Sequence, residues 1–249
     1  MRAVPNRTTD AVAPTARRAA PARRRRAGLA LERSLLGEGH ATVGGMDEVG
    51  RGAWAGPVVV GVVVIDGSSG RLPKGTADSK LLTPRAREEL HDDLVAWCAS
   101  WAIGEATAQE IDEQGLSRAL RLAAHRALAG LPRPPEALIV DGPYDFVGTG
   151  DRGEGPHEAG GRCAPPVVVP KIGADRTAGT VAAASILAKL SRDAQMRAHG
   201  SRLPGYGFDR NKGYGTKDHA AAIAARGLSR QHRRTWSFAV PTLVALDAS

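Results

Sequence analysis

Residues 43 to 65 read Val43-Gly-Gly-Met-Asp47-Glu48-Val-Gly50-Arg51-Gly52-Ala-Trp-Ala-Gly-Pro57-Val-Val-Val-Gly61-Val-Val-Val-Ile65, two apolar runs separated by a glycine-rich turn. Val43 to Glu48 and Val58 to Ile65 have strand composition, and the second run is β-branched enough and long enough to lie at the centre of a sheet. The first strand ends on two adjacent acids. Neighbouring side chains on a strand point to opposite faces, so an ordinary structural pair would send one of the two into the core. The plain alternative is a solvated turn with a salt bridge to Arg51.

Outward from this hairpin, strands and helices alternate. Leu29 to Gly39 reads as a short helix. Thr83 followed by Pro84 is an N-cap and first-turn pair that opens a helix to Trp97. Ala99 to Ala106 reads as a strand. Thr107-Ala-Gln-Glu110 fits a capping box, opening one helix to about Leu128 with Leu116, Leu120, Ala123, Ala124 and Ala127 on its apolar side. Ala137 to Asp141 and Val167 to Lys171 are short apolar runs suited to buried strands. Thr177 to Arg197 and Lys217 to Arg226 are expected helices. The alternation predicts an α/β fold, and the last fifty residues, without strands, predict a small helical extension. The expected organisation is a tail over 1–28, a catalytic domain over 29–198 carrying a flexible loop at 148–166, and a substrate-binding helical extension over 199–249.

The 249 residues carry 34 Lys and Arg against 26 Asp and Glu, a net charge of +8. That excess points to an anionic partner such as nucleic acid. Residues 1–28 hold eight arginines and one acid, so +7 of the charge lies there and the other 221 residues are nearly neutral. Without a helical stripe, this segment is expected to be disordered and to act at most as an electrostatic tether to phosphates. An Arg-rich, acid-poor start also has the look of an organelle transit peptide, and the lack of an apolar core segment argues against a secretory signal. Cys98 and Cys163 match no metal-ligand spacing and read as free thiols in a reducing compartment. The longest apolar run, 55–65, is too short for a bilayer and is interrupted by Gly56, Pro57 and Gly61. A cytoplasmic monomer is the expectation.

Two more acids sit where strands or loops reach the end of a sheet. Asp141 closes the run Leu138-Ile-Val, and Asp175 precedes the helix around Val181-Ala-Ala-Ala-Ser185. Each has an ordinary reading, as a turn residue or a loose cap. Together with Asp47 and Glu48 they make four carboxylates with no Cys or His cluster beside them. Hard oxygen donors select Mg²⁺ or Mn²⁺ over zinc. Four acids around two such ions, about 4 Å apart, form an apparatus for in-line phosphoryl chemistry.

Seven stretches in order carry a resemblance. They are Gly45-Met-Asp47-Glu48 through Pro57, Asp78-Ser-Lys80-Leu-Leu, Glu110-Ile-Asp112, Ile139-Val-Asp141-Gly, Ala182-Ala-Ala-Ser185-Ile-Leu-Ala-Lys189 with Arg192-Asp193, Asn211-Lys-Gly-Tyr214-Gly-Thr-Lys-Asp-His219, and His232-Arg233 before Ser237-Phe238. From about Leu31 to Val240 the chain resembles the type 2 ribonuclease H family, ribonuclease HII. The resemblance implies a ribonuclease H fold, a mixed central sheet flanked by helices, with Asp47, Glu48, Asp141 and Asp175 as catalytic, metal-binding acids. It implies that Asp47 bridges two ions, that Asp175 completes the site of the ion that activates water, and that Glu48 and Asp141 hold the ion at the leaving 3′ oxygen. The products would be a 3′-hydroxyl and a 5′-phosphate.

The resemblance also implies the substrate. The backbone of Gly50-Arg51-Gly52 and the ring of Tyr214 would recognise the junction of a ribonucleotide with a following deoxynucleotide. Glycines allow close approach to a sugar, and an aromatic face can stack on a deoxyribose. Lys80, Lys189, Lys212 and Lys217, four of the six lysines, lie in matched stretches and resemble phosphate-holding or site-supporting residues. Ser185 and Thr216 are candidates for phosphate donors or helix caps. His219 and His232 are expected in structural hydrogen bonds, and Asp112 and Asp193 as supporting or helix-end partners.

Two departures stand out. The family places a lysine almost next to the fourth acid, whereas Lys171 and Asp175 are four residues apart here, although the step from Asp175 to Val181 fits. Residues 148–166 read as an insertion. The leading expectation is a nuclease that cuts RNA in RNA·DNA hybrids and nicks ribonucleotide-containing duplex DNA, with a role in removing ribonucleotides from DNA. The alternatives are a ribonuclease HIII-like enzyme that cuts hybrids alone, and a noncatalytic nucleic-acid-binding module whose affinity comes from its arginine tail.

Overall fold

A computed structural model describes residues 27–148 and 167–236. The expected features of residues 1–26, the body of the loop at 149–166 with Cys163, and residues 237–249 lie outside the described residues.

The elements follow in the order α1 Ala30–Gly37, β1 Thr42–Val49, β2 Val58–Asp66, α2 Pro84–Trp97, β3 Ser100–Ala106, α3 Ala108–Gln114, α4 Leu116–Ala129, β4 Ala137–Asp141, β5 Val167–Lys171, α5 Gly179–Arg202, α6 Phe208–Asn211 and α7 Lys217–Arg226. The strands form one mixed sheet in the order β3-β2-β1-β4-β5. β1 and β2 pair antiparallel, as do β2 and β3, while β4 and β5 continue parallel to β1. Because Met46 pairs with Val140, the next residues, Asp47 and Asp141, leave the C-terminal ends of adjacent parallel strands. Open α/β sheets place ligands at that edge.

The two sheet faces are covered differently. Met46, Val58, Val60, Val62 and Val140 pack on the alanine and leucine side of α4. Val43 and Ile139 pack with Val181 of α5, and Val63 with Ala183, Ala184 and Leu187. Alternation along β1 therefore puts Asp47 on the α5 face and Glu48 on the α4 face. Small residues bring the helices close: a Cβ on Gly61, the cross-strand partner of Asp47, would fall 2.6 Å from the Ala184 carbonyl oxygen. A Cβ on Gly104 of β3 would lie 2.1 Å from the Ala123 oxygen of α4. Gly104→Ala must separate backbone from backbone, and a loss of about 3 kcal/mol is expected. Gly67→Ala, which meets nothing within 4 Å, is the control; equal melting temperatures for the two variants would contradict this packing.

Three expectations are corrected. The single helix from Thr107 to Leu128 is two, broken at Gly115, whose φ of 81° ends α3. The capping box at Thr107 and Glu110 is present as expected. β5 is not buried but forms an exposed sheet edge with the accessibility pattern of a half-solvated strand. α5 begins at Gly179 rather than Thr177, because Ala174–Arg176 form a separate 3-10 turn, and it runs on to Arg202. α5 thus passes unbroken through residue 198, where the catalytic domain was expected to end.

Candidate active site

Asp47 is 2 % exposed, and burial raises its carboxyl pKa to about 7, with the Glu48 and Asp141 charges adding to the rise and the Ser185 hydroxyl and Lys80 opposing it. Its Oδ1 accepts the Glu48 N–H at 2.8 Å, but its Oδ2 is buried and accepts no hydrogen bond. A buried carboxylate oxygen without a donor is costly unless a cation meets it. Glu48 and Asp175 are also raised, by burial first. The Asp141 charge pushes both further up, against the pull of Arg51 on Glu48 and of Lys80 and Arg176 on Asp175. The four acids therefore feel one another across a single edge of the sheet.

Each acid is also held by a partner. Glu48 lies 3.5 Å from Arg51 NH1, Asp141 Oδ1 accepts the Ala174 N–H at 2.7 Å, and Asp175 lies 3.5 Å from Lys80 Nζ. So arranged, among the described residues no three His, Cys, Asp or Glu side chains converge tightly enough to enclose an ion. The donor set is nevertheless that of a hard divalent cation: four carboxylates, one of them with an orphan oxygen, and no sulfur or imidazole. Beside Asp141 a cavity of about 260 Å³ opens between α4 and the following loop, lined by Arg51, Arg121, Tyr144 and Phe146 among others.

Lys80 stands where the acids meet. Desolvation alone would lower its pKa, but Asp47, Asp78 and Asp175 outweigh it and hold the ammonium above its usual value. Asp78, only 3 % exposed, accepts the Lys80 N–H at 2.9 Å and lies 3.8 Å from Arg176. Asp78 opens the matched stretch Asp78-Ser-Lys80-Leu-Leu. Only the fold brings it beside Asp175. Ser185 is 4 % exposed and hydrogen bonds Ser79 Oγ at 2.8 Å, so it braces α5 against the turn carrying Lys80 as well as facing Asp47.

The expected substrate-reading elements are locked together by two buried arginines. Gly50 has φ 89°, and a Cβ there would fall 2.2 Å from Arg192 Nε, so only glycine fits the turn. Arg233 is fully buried and donates to the carbonyls of Gly50 (2.6 Å), Arg51 (2.9 Å) and Gly56 (3.1 Å). Arg192, also fully buried, donates to Pro57, Ala55 and Lys212 carbonyls. The Tyr214 ring sits 5.2 Å from the Arg192 guanidinium and 5.9 Å from Lys189 Nζ, within cation–π range. Trp54 and Ala55 N–H groups donate to Gly213 O, tying the Tyr214 loop to the Gly50–Gly52 turn. Both arginines lay in matched stretches with no role assigned. The missing signal is understandable, since backbone carbonyls as partners leave no trace in side-chain patterns.

The remaining candidates divide. Lys189 pairs with Asp193 Oδ1 at 2.5 Å, and burial lowers its pKa against that partner. Lys212 turns back to the Asp209 carbonyl, and Lys217 is exposed at the start of α7, which Thr216 caps through the His219 N–H. His219 and His232 are structural, as expected. Ser229 N–H donates to His232 Nδ1, the two Nε2 atoms are 3.0 Å apart, and His219 Nδ1 meets the Tyr214 carbonyl at 2.9 Å. Burial first, and then His219, lowers the His232 pKa to about 4, so the pair is neutral at pH 7 and steadies the Tyr214 loop. Asp112 accepts from Arg234 N, Thr235 N and Thr235 Oγ1, holding the segment after Arg233 against α3.

A family model described as Ribonuclease HII matches residues 44–239. A Ribonuclease HII of Streptomyces griseus is 43 % identical over 212 residues, covering 84 % of this chain and 83 % of that one. A Ribonuclease HII of Thermus thermophilus is 46 % identical over 198 residues, covering 78 % and 86 %. Among solved structures, the ribonuclease H2 of Pyrococcus horikoshii superimposes with a TM-score of 0.63 at 28 % identity, covering 78 % of this chain and 93 % of that one.

Proposed function

The chain belongs to the ribonuclease HII family and is a ribonuclease H, and from that premise we propose that it is a divalent-metal-dependent endonuclease of two linked activities. It cleaves RNA in RNA·DNA hybrids and nicks duplex DNA 5′ to an embedded ribonucleotide, leaving 3′-hydroxyl and 5′-phosphate ends. Its role is removal of ribonucleotides from DNA in the cytoplasm, as a monomer. No described helix is long and apolar enough to cross a membrane.

The observation that carries this reading is the fastening of the Gly50–Gly52 turn to the Tyr214 loop beside the carboxylate edge. Asp47, Glu48, Asp141 and Asp175 would hold two Mg²⁺ or Mn²⁺ ions. When bound, the ions supply an acidified water and positive charge at the leaving oxygen. Asp47 offers them a buried oxygen, Oδ2, that accepts no hydrogen bond from the protein. The backbone of the exposed residues Arg51 and Gly52 approaches the sugar carrying the 2′-hydroxyl, and Tyr214 packs on the next sugar, where a hydroxyl would interfere. Lys80 and Lys189 orient phosphates around the scissile bond. Neither His219 nor His232 acts as base, because both are occupied with each other and with backbone.

The test is a duplex carrying a single ribonucleotide, incubated with Mg²⁺ or Mn²⁺ and, in parallel, with chelator. A nick 5′ to the ribonucleotide that requires the metal is expected. Cleavage of a hybrid with the single-ribonucleotide duplex left intact would instead support the hybrid-only reading. Deleting residues 1–26, which keeps the Gly28 contacts to Thr177 and Gly179, is expected to leave cleavage at moderate salt in place; its loss would favour the tail as the binding element.

A further inference from the structure

Glu32 is fully buried on α1, the element that precedes β1 and its Asp47. Its Oε1 accepts two hydrogen bonds from Thr180, one from the N–H at 2.8 Å and one from Oγ1 at 2.9 Å. Its Oε2 is buried without a hydrogen-bond partner. A buried carboxylate so far from solvent is retained against a desolvation cost, so its placement needs a reason.

The reason lies in how α5 begins. The first amides of a helix need acceptors from outside it. Ala178, at the N-cap, has no side chain to offer, and no acidic residue lies in the first turn. The acceptors come instead from the segment before β1. Gly28 O takes the Gly179 N–H at 2.8 Å, Gly28 N–H donates to Thr177 O, and Glu32 takes the Thr180 N–H. Residues 28–32 therefore clamp residues 177–180. Just upstream, Asp175 sits in the 3-10 turn Ala174–Arg176, whose Ala174 carbonyl accepts the Thr177 and Ala178 N–H groups. On the other side, the same first turn of α5 lies directly on β1, two residues before Asp47: a Cβ on Gly45 would fall 2.3 Å from Thr180 Oγ1 and 2.4 Å from Val181 N.

We propose that Glu32 is a positioning residue: it caps α5 from another element and so fixes the Asp175 turn relative to Asp47. The inference rests on the reading of Asp47 and Asp175 as metal-holding acids. It gives α1 a share in the site that no contact of α1 with the four acids would reveal.

The full-length protein is compared with E32Q, E32D and E32A. Mn²⁺ affinity by titration calorimetry and the kcat and KM for an RNA·DNA hybrid are the readouts, with circular dichroism as the check on folding. Gln keeps an acceptor oxygen for Thr180, so E32Q is expected to stay within about 3-fold of wild type in both readouts. E32A, with no acceptor, is expected to bind Mn²⁺ about 10- to 100-fold more weakly and to lose kcat similarly with KM little changed, the range for partners that orient ligands. E32D retracts the carboxylate by one methylene and is expected to fall between them, and it decides the matter if E32A does not fold. A folded E32D or E32A with unaltered Mn²⁺ affinity and kcat overturns the role of Glu32, as does an E32Q that falls as far as E32A. Absence of Mn²⁺ binding by the wild type overturns the carboxylate reading itself, and with it this role.

Discussion

Asp47→Asn is expected to abolish cleavage, by at least about 10³-fold, while making the metal-free protein more stable. The loss follows from the role proposed for this residue, since even the outer partners of a metal site cost about 10- to 100-fold when removed. The gain in stability follows from burial. The Asp47 carboxyl is raised from 3.8 to about 7 in the folded chain. At about 1.4 kcal/mol per unit, the folded state is penalised by up to about 4 kcal/mol at neutral pH. The sign is fixed by which state binds the proton: between about pH 4 and 7 the folded carboxyl keeps it and the unfolded one does not. Stability tied to Asp47 is therefore full below about pH 4 and lost as pH rises to about 7. Asn keeps the shape without the charge, so in EDTA the D47N melting temperature is expected to exceed that of wild type by several degrees at pH 8 and to converge with it near pH 4. Added Mn²⁺ is expected to raise the melting temperature of the wild type and not of the variant. A D47N that melts lower in EDTA at pH 8, or that Mn²⁺ stabilises as much as wild type, contradicts the account.

The second large effect belongs to Arg233, which touches none of the acids. Arg233→Met removes the donors to Gly50, Arg51 and Gly56 carbonyls together. An unsatisfied buried acceptor costs about 1–3 kcal/mol, and part of the loss is relieved as the turn relaxes, so about 3–5 kcal/mol in all is expected. For a body of this size that is roughly 10 °C in melting temperature. Function should suffer unevenly. The turn that Arg233 holds is the one proposed to meet the 2′-hydroxyl, so nicking at a single ribonucleotide is expected to fall further than cleavage of a uniform hybrid, where many registers offer a hydroxyl. Arg233→Lys keeps a charge and fewer donors, and should lie between. Melting temperatures and the ratio of the two cleavage rates, measured below the variant's melting range, check both parts. An equal fall on both substrates would make Arg233 a residue of stability alone.

Much of the site was legible because it rests on local rules. Asp47 and Glu48 end an apolar strand, and Asp141 ends another; strand period and turn chemistry place such residues at a sheet edge without any knowledge of the fold. The helix starts at Pro84 and Ala108 were legible for the same reason, as caps are written in adjacent residues. The single helix expected from Thr107 to Leu128 failed because one glycine at positive φ, Gly115, outweighs an apolar stripe that runs past it on both sides. The burial of β5 failed because an apolar run states that a strand can be covered, not that a neighbour covers it.

The sequence by itself determined the order of the strands along the chain, the glycine turn and the four acids proposed to hold metal. Only the tertiary structure decided what holds these in place: Glu32 on Thr180, 148 residues away, and Arg233 on Gly50, 183 residues away. The physical reason is the acceptor or donor these side chains use. A backbone N–H or carbonyl is the same at nearly every residue, so a bond to it selects no partner type and leaves no spacing to read. Its existence depends on where the chain passes in space, which the fold alone sets.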